Sequence, residues 1–242
     1  MIIDGCCTVS SRREYKIATS NLLKEMDKHD ISKTVLFCDD RCAAVKNEDG
    51  NNFVDNIFQK NKDRYYRFAT ANPWNGDVAA QEIEKRLASG FNGVFFNSLV
   101  QGFTINDDIV LPLIEVCEKY CVPVYFNTGT PIQAMPFQVL SLAKRYPKVN
   151  FIVGHMGAND YLGDAYSAAE LVDNIYLDSS LNLTCSMRNA AKLFSNKMIF
   201  GSAYPRSSYF IELKRLRQGV KDEEVLGNIL SQNLLSILGG KK

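Results

Sequence analysis

The side chains best suited to chemistry in this sequence are two histidines and seven cysteines. Histidine titrates near neutral pH, so His155 in the segment IVGHMG is a candidate general base or ligand contact. A cysteine thiolate is a nucleophile when a nearby imidazolium lowers its pKa, which makes Cys6 and His155 a candidate catalytic pair. The alternative for His155 is a structural role, in which its ring bonds to a neighbour such as Asn127.

A second hypothesis is that several cysteines bind a metal ion. Cys6, Cys38 and Cys42, together with His155, would offer the soft ligands that select zinc or copper(I). The spacing Cys38-x3-Cys42 differs from the common Cys-x2-Cys pair, and cysteine is also frequent in ordinary protein cores. Packing is therefore the favoured interpretation of these thiols. We expect no cofactor, with zinc kept as the alternative.

Length and charge narrow the class of protein. A chain of 242 residues fits one large domain or two small ones. Its 28 basic and 27 acidic residues give a net charge of +1, which argues against a general nucleic-acid binder. No apolar run reaches the roughly 18 residues of a membrane span, and MIIDGCC does not resemble a signal peptide. We therefore expect reduced cysteines and a cytoplasmic protein that does not bind membranes.

Short apolar, β-branched or aromatic runs alternate with amphipathic stretches along the chain. Apolar residues three to four positions apart, such as Ile83 and Leu87, predict helices between the runs. The runs predict strands at Ile2–Cys6, Thr34–Cys38, Tyr65–Ala71, Gly93–Asn97, Val122–Asn127, Asn150–His155, Ile175–Asp178 and Met198–Gly201. This alternation predicts an α/β fold, a single (β/α)8 TIM barrel. A doubly wound sheet usually has a glycine-rich phosphate loop after its first strand, and DGCCTVSSRRE offers none.

In such a barrel the chemistry lies where the strands end. The residues that the sequence places there are Cys6, Thr8, Cys38, Asn72, Asn97, Asn127, His155, Ser179 and Ala203. Because alternate residues of a strand face the same side, Cys6 and Thr8 share a face and Cys7 points away. His29 precedes the second strand, so it belongs to the opposite, stabilising end of the barrel.

Two segments interrupt the regular pattern. The polar run KNEDGNN, Lys46–Asn52, predicts a loop or a frayed helix start. The tail Gly239–Lys242 predicts a helix stop followed by a solvated end.

Several of these segments, taken in order, resemble the amidohydrolase-related family of TIM-barrel metal-dependent hydrolases and decarboxylases. The similar segments are MIID, LLKEMDKHDISKTVLF, GFNGVFFN, VPVYFNTGTP, YPKVNFIVGHMGAND, NIYLDSS, KMIFGSAYP and the closing DEEVLGNILSQNLLSIL. The resemblance covers residue 1 to about residue 239. It implies a metallo-dependent hydrolase-like barrel, and we expect residues 1–242 to form one domain.

The departures from the family pattern affect its metal ligands. The resemblance implies a His-x-His pair on the first strand, where this chain has Cys6 and Thr8. It also implies histidines at positions 127 and 155 and an aspartate at position 203, where this chain has Asn127, His155 and Ala203. Of the five positions, only His155 keeps the family residue. A catalytic zinc site needs about three protein ligands, and hydrolysis by metal-bound water needs a proton acceptor. The sequence therefore predicts a degenerate metal site.

Two functional hypotheses follow. The first is a protein, a pseudoenzyme, that has lost the family's metal-dependent hydrolysis and binds a small molecule or a partner at the barrel mouth. The second is an active hydrolase or decarboxylase that uses an atypical metal site or a metal-free mechanism with Cys6 and His155. The residues expected to contact the ligand are Thr8, Asn72, Asn97, Asn127, Tyr204 and Arg206. The identity of the ligand and a homo-oligomeric state stay open.

Overall fold

A computed structural model describes residues 1–238 of the protein. Its sheet consists of parallel strands that follow one another in sequence order. The eight strands in this part of the chain are β1 (Ile2–Val9), β2 (Ile31–Cys38), β3 (Tyr65–Ala69), β4 (Gly93–Phe96), β5 (Val124–Asn127), β6 (Phe151–Gly154), β7 (Ile175–Asp178) and β8 (Met198–Ile199). Each strand pairs in parallel with the next one along the chain. This order is that of a TIM barrel, so the predicted fold class is confirmed.

Helices connect the strands and surround them. They are α1 (Arg13–Lys28), α2 (Asp40–Val45), α3 (Asn47–Lys60), α4 (Asp77–Ala88), α5 (Ser98–Gln101), α6 (Leu111–Tyr120), α7 (Pro136–Arg145), α8 (Leu162–Leu171), α9 (Thr184–Leu193), α10 (Tyr209–Gly219), α11 (Glu223–Gly227) and α12 (Asn233–Leu238). Across residues 1–238, none of these helices has the length and apolar character needed to cross a membrane.

The barrel is joined between β1 and the segment that follows β8. The Gly5 amide donates to the Phe200 carbonyl at 2.8 Å, and the Thr8 amide donates to the Tyr204 carbonyl at 2.8 Å. An isolated parallel bridge pairs Cys7 with Tyr204. These contacts bring the first strand, with Cys6 and Thr8, beside the chain that follows the last strand.

The predicted strands all lie at observed strands, with shifts of a few residues at their ends. Of the two alternatives for KNEDGNN, a loop or a frayed helix start, the structure shows the helix start, because α3 begins at Asn47. The Asn51 side chain anchors this helix to the end of β3, donating to the Thr70 carbonyl and accepting from the Thr70 amide, both at 2.9 Å. This tertiary anchor overrides the weak helix propensity of the run. The expected helix stop at Gly239–Lys242 lies outside the described residues.

Aromatic side chains fill the barrel interior beneath the strand ends. The rings of Phe37 and Phe95 stack with centroids 4.5 Å apart and an interplanar angle of 6°. Tyr125 packs against Phe37 at 4.8 Å. All three are buried, so ring-sized space at the centre of this end of the barrel is already occupied by the protein.

Candidate functional site

A small cavity lies at the carboxyl ends of the strands, where the family resemblance places the site. Its volume is about 30 Å³. Its lining residues come from six strands and the loops that follow them: Cys6, Thr8, Tyr15, Phe37, Asp40, Phe95, Asn97, Tyr125, Asn127, His155, Ala203 and Arg206. Because one water needs roughly 10–15 Å³ on such a measure, the cavity has room for about two waters.

Most of the predicted site residues come together in this cavity. Cys6 and Thr8 both line it and Cys7 does not, as expected from the alternation along β1. Asn97, Asn127, His155, Ala203 and Arg206 line it as well. Whether any of them contacts a ligand stays a prediction.

Asn72 lies elsewhere and fastens loops together. Its side-chain amide donates to the carbonyls of Ala44 at 2.8 Å and Gln101 at 3.2 Å, and its Oδ1 accepts from the Trp74 amide. The indole of Trp74, itself 62% exposed, donates to the Gly102 carbonyl at 3.0 Å. With its side chain used in this way, Asn72 supports the loops after β2, β3 and β4 instead of lining the cavity.

Tyr204 also points away from the cavity. Its ring stacks on Tyr209 with centroids 5.3 Å apart, and its hydroxyl donates to the Ala18 carbonyl at 3.2 Å. The side chain therefore packs between the barrel and its helices, while the Tyr204 backbone joins the barrel.

His155 is held by two residues at the carboxyl end of β7. Its Nδ1 lies 2.6 Å from the hydroxyl of Ser180, and that hydroxyl donates to Asp178 Oδ1. With Asp178 ionised, this chain requires Nδ1–H to donate to Ser180, which leaves Nε2 as a hydrogen-bond acceptor. Ser180 thus separates the imidazole from the carboxylate, whose Oδ1 is 3.8 Å from Nδ1.

Burial dominates the electrostatics of this group. Burial, and next the positive charge of Arg206, lowers the pKa of His155 to about 3. Burial raises the pKa of Asp178 to about 7, against the opposing hydrogen bonds from Ser180 and from the His155 amide. The imidazole is therefore neutral at physiological pH, which suits an acceptor or a proton-transfer group and not a fixed cation.

Cys6 has the surroundings of an unreactive thiol. Burial and then the charges of Asp178 and Asp4 raise its pKa well above the usual value. The neutral His155 supplies no positive charge to offset them. Since the thiolate is the nucleophilic form, this environment disfavours the predicted Cys6 and His155 catalytic pair.

Two buried polar atoms of the cavity lining lack partners within the described part of the chain. They are the Tyr125 hydroxyl and Asn97 Oδ1. The Asn97 amide group is used, because Nδ2 donates to Asp40 Oδ1 at 3.0 Å. Buried polar groups are normally hydrogen-bonded, so these two atoms are the places where polar atoms of a ligand would gain most.

Sequence reasoning missed the residues that orient His155. It singled out Ser179 at the end of β7, but the Ser179 hydroxyl accepts from the Gly201 amide at 3.2 Å and belongs to the β7–β8 contact. Asp178 and Ser180, its neighbours, carry the link to His155. The signal was present in the polar triplet that ends the apolar run NIYL.

The residues at the positions where the resemblance implies metal ligands do not fit a metal ion. Thr8 and Asn127 offer a hydroxyl and a neutral amide, and Ala203 offers no ligand atom. His155 has only Nε2 free of protein contacts, and one imidazole does not hold a divalent ion against water. Residues 1–238 contain no group of three or more His, Cys, Asp or Glu side chains arranged to hold a metal.

Two cysteines of the alternative metal site, Cys38 and Cys42, do not line the cavity that contains His155. Cys38 and Cys42 line a separate cavity of about 260 Å³ with Asp39, Arg41 and neighbouring residues, whereas Cys6 lines the cavity that contains His155. Burial, followed by the charge of Cys42, raises the pKa of Cys38 well above its usual value. Packing accounts for these two thiols.

Strained backbone persists at two strand ends of the site. His155 has φ of 60° and Ala203 has φ of 51°, in the left-handed region that L-residues adopt at a cost. Asn and Asp tolerate this conformation better than alanine does. The chain thus keeps at position 203 a backbone suited to an acidic or amide side chain, although the side chain there is a methyl group.

Comparison with known proteins agrees with this architecture. A sequence model of the family described as Amidohydrolase matches residues 18–238. No protein of curated function is similar enough in sequence to count as a match.

Among solved structures, the chain is similar to 5-carboxyvanillate decarboxylase LigW from Sphingomonas paucimobilis, with 16% identity, a TM-score of 0.79 and 98% of each chain covered. It is similar to 2,6-dihydroxybenzoate decarboxylase from Rhizobium, with 17% identity, a TM-score of 0.78 and the same coverage. A dihydroxybenzoic acid decarboxylase from Polaromonas sp. JS666, with bound manganese and 2-nitroresorcinol, matches at 17% identity and a TM-score of 0.79 over 98% of this chain and 96% of its own. At these identities the likeness supports the shared fold.

Proposed function

Because the chain belongs to the amidohydrolase family, we propose that it is a member that has lost metal-dependent hydrolysis and binds a small molecule at the barrel mouth. The observation that carries the proposal is the composition of the cavity wall. Cys6, Thr8, Asn127 and Ala203, at the positions where the resemblance implies metal ligands, line the cavity together with His155. This wall can make hydrogen bonds, but it lacks the charged and imidazole ligands that hold a catalytic metal.

The cavity favours a ligand with a compact polar head. Arg206 provides an exposed positive charge at its edge, and Asn127 and Thr8 add amide and hydroxyl groups. Inside, Asn97 Oδ1 accepts and the Tyr125 hydroxyl donates, both without described partners. A small carboxylate fits the donors of this set, with its charge towards Arg206 and its oxygens towards the hydroxyls of Thr8 and Tyr125 and the Asn127 amide, while Asn97 Oδ1 is left to accept from water.

An aromatic acid fits less well. The related decarboxylases act on carboxyvanillate and dihydroxybenzoate, as their names state. Here the rings of Phe37, Phe95 and Tyr125 fill the centre of the mouth, and the free space is about 30 Å³. Decarboxylation of such a substrate would need both a metal and space for a ring. Observing this reaction would therefore contradict the proposal.

Metal retention is the first test. The purified chain is incubated with Mn²⁺ or Zn²⁺, desalted and measured by elemental analysis, beside the variant Cys6→His, Thr8→His, Asn127→His and Ala203→Asp. We expect the unmodified chain to retain less than about a tenth of an equivalent and the fourfold variant to retain close to one. A wild-type chain that keeps a stoichiometric metal and decarboxylates 2,6-dihydroxybenzoate would overturn the proposal.

Ligand binding is the second test. Acetate, formate and 2,6-dihydroxybenzoate are titrated by calorimetry into the wild-type chain, into Arg206→Ala and into the control Arg145→Ala. Arg145 is an exposed residue of α7, away from the cavity. We expect acetate or formate to bind and Arg206→Ala to weaken binding by about tenfold. Equal binding by Arg206→Ala, or no binding of either small carboxylate, contradicts the assignment of this ligand to the mouth.

A further inference from the structure

A larger concave space lies at the opposite end of the barrel, and the inference drawn from it does not depend on the function proposed for the mouth. It consists of two adjoining cavities of about 530 and 580 Å³ that share Gln218 and Lys221. We call the pair the basic groove. Lys28 and His29 link α1 to β2, and Gln218 and Lys221 end the α10 segment, which places the groove at the amino ends of the strands.

The groove concentrates positive charge in a chain that is nearly neutral. Its lining contributes six basic side chains, namely Lys28, Lys214, Arg217 and Lys221 in the first cavity and Arg188 and Lys192 in the second. Asp30 and Asp222 are the acidic residues among the lining. The whole chain, by contrast, has 28 basic and 27 acidic residues.

These cations are not neutralised by the protein. Over the described residues, none of the six has a carboxylate within 4.0 Å, whereas Arg64, Arg86 and Lys119 elsewhere all form ion pairs. Lys221 donates to the Arg217 carbonyl at 3.1 Å, a partner that carries no full negative charge. Clustered like charges with low-dielectric walls focus a positive potential into the groove.

Helix ends explain part of this cluster. Lys28, Lys192 and Arg217 lie in the last turns of α1, α9 and α10, where the helix dipole stabilises a cation. The dipole does not explain Lys214, in the middle of α10, or the convergence of three helix ends on one hollow. Each cavity has the volume of a site for a small organic ligand.

The two cavities differ in their other side chains. The first contains Phe210, which is 59% exposed and has the Lys214 ammonium 5.7 Å from its ring centre. The second contains apolar surface from Ala191, Val220 and Val225. The groove therefore offers an anion-binding part beside surfaces that suit an aromatic or apolar body.

We propose that the basic groove binds a small molecule that carries two or more phosphate groups on an aromatic or apolar body, such as a nucleoside diphosphate. The phosphates would meet Lys28, Lys214, Arg217 and Lys221, and the body would pack against Phe210 or the apolar second cavity. Neighbouring phosphates match neighbouring cations better than a single carboxylate does, because each phosphate carries more charge and more acceptor oxygens.

The test compares probes and charge-reversal variants of the full chain. ADP, pyrophosphate and inorganic phosphate are titrated by calorimetry into the wild-type chain and into Lys214→Glu, Arg217→Glu, Lys221→Glu combined. The matched control reverses three exposed basic residues on another side of the barrel, with the same change in net charge: Lys144→Glu, Arg145→Glu and Lys148→Glu.

We expect saturable one-to-one binding of ADP, tighter than that of pyrophosphate, and a loss of at least about tenfold in the groove variant alone. Binding should weaken as salt rises, because the contacts are between exposed charges. An absence of saturable ADP and pyrophosphate binding overturns the proposal, and so does equal weakening in both triple variants, which would indicate a non-specific effect of net charge. Circular dichroism confirms that both variants are folded. Phosphate binding at the groove and carboxylate binding at the mouth are measured with different probes and different variants. Failure of one proposal therefore leaves the other unaffected.

Discussion

The two ends of the barrel differ in free space, charge and internal bonding. At the carboxyl ends of the strands, the cavity around His155 measures about 30 Å³, and buried side chains surround it. At the amino ends, the basic groove offers two cavities of about 530 and 580 Å³ and six cations without carboxylate partners among residues 1–238. TIM barrels keep their chemistry at the carboxyl ends. In this chain the centre of that end is filled by its own side chains, with a cavity of about 260 Å³ beside Cys38 to one side, and the larger concavity with more cations lies at the end that normally serves stability.

The largest expected effect comes from emptying the mouth. Phe95→Ala removes a buried ring that stacks on Phe37, so we expect a loss of about 3–5 kcal/mol in the free energy of unfolding. The new cavity should also let 2,6-dihydroxybenzoate bind more tightly. Urea unfolding and calorimetry measure the two effects.

The matched change in the groove is Phe210→Ala. Because that ring is 59% exposed, its loss should cost no more than about 0.5 kcal/mol. Similar costs at both positions would remove the contrast between a packed mouth and an open groove.

Adding one methyl group tests how tightly the mouth is packed. A Cβ on Gly154 would lie 2.5 Å from Cε1 of Tyr125, so Gly154→Ala should cost about 1–3 kcal/mol. The control is Gly163→Ala in α8, where a Cβ meets no atom within 4 Å and should stabilise the helix by up to about 1 kcal/mol. Guanidinium unfolding midpoints give both values. Tolerance of Gly154→Ala would show that Tyr125 can move and that the mouth is adaptable.

A buried acid of β1 predicts a particular pH dependence of stability. Burial raises the pKa of Asp4 from 3.8 to about 6. Between these values the folded state binds more protons than the unfolded state, so the Asp4 contribution to stability is fully present at low pH and is lost as pH rises through about 6. Asp4→Asn should remove this component, which amounts to about 1–3 kcal/mol between pH 4 and 7.

The asparagine can keep the contacts of Asp4. Its Oδ1 replaces the acceptor for the Cys6 and Ser202 amides, and its Nδ2 can donate to the hydroxyls of Thr34 and Ser202. Urea unfolding of the wild-type chain and of Asp4→Asn at each pH gives the difference between their free energies of unfolding. The contribution of His155, whose pKa is lowered, has the opposite sign and is common to both proteins, so it cancels in this difference. The control Asp30→Asn makes the same substitution at an exposed acid of the groove. Parallel profiles for the wild-type chain and Asp4→Asn would contradict the shift.

The smallest expected effect concerns the charges of the groove. Lys214→Gln relieves repulsion from Arg217, one helical turn away, and should raise the free energy of unfolding by about 0.2–0.5 kcal/mol at low salt. Lys85→Gln should have the opposite sign, because Lys85 pairs with Glu48 at 3.1 Å. Both effects should disappear in 1 M salt. Equal signs for the two variants would mean that the groove cations are already compensated.

The fold was predictable because its signals are local and repeated. Strand runs such as Ile175–Asp178 combine β-branched, aromatic and apolar residues between polar stretches, and the structure has a strand at each predicted place. The run KNEDGNN left a loop and a frayed helix start open, and what decides for the helix is non-local, since the Asn51 side chain is anchored by Thr70 after β3.

The candidate site was predictable only in part. The alternation along β1 placed Cys6 and Thr8 in the cavity, and strand ends placed Asn127 and His155 there. Asn72 and Tyr204 also follow strands, yet their side chains donate to carbonyls of the helices α2 and α1. The sequence does not state which way a side chain after a strand turns. The basic groove was not predicted from the sequence, because its cations come from α1, α9 and α10, which are far apart along the chain. The net charge of +1 does not reveal such a local cluster.

Trp74 gives this protein a built-in optical reporter. It is the single tryptophan of the sequence, and its exposed indole is held by the Gly102 carbonyl, where the loops after β3 and β4 meet near the mouth. Indole emission responds to the polarity and hydrogen bonding of its immediate surroundings. A fluorescence titration should therefore respond when ligands or substitutions rearrange these loops and stay nearly constant when the groove fills, so one spectrum distinguishes the two ends of the barrel.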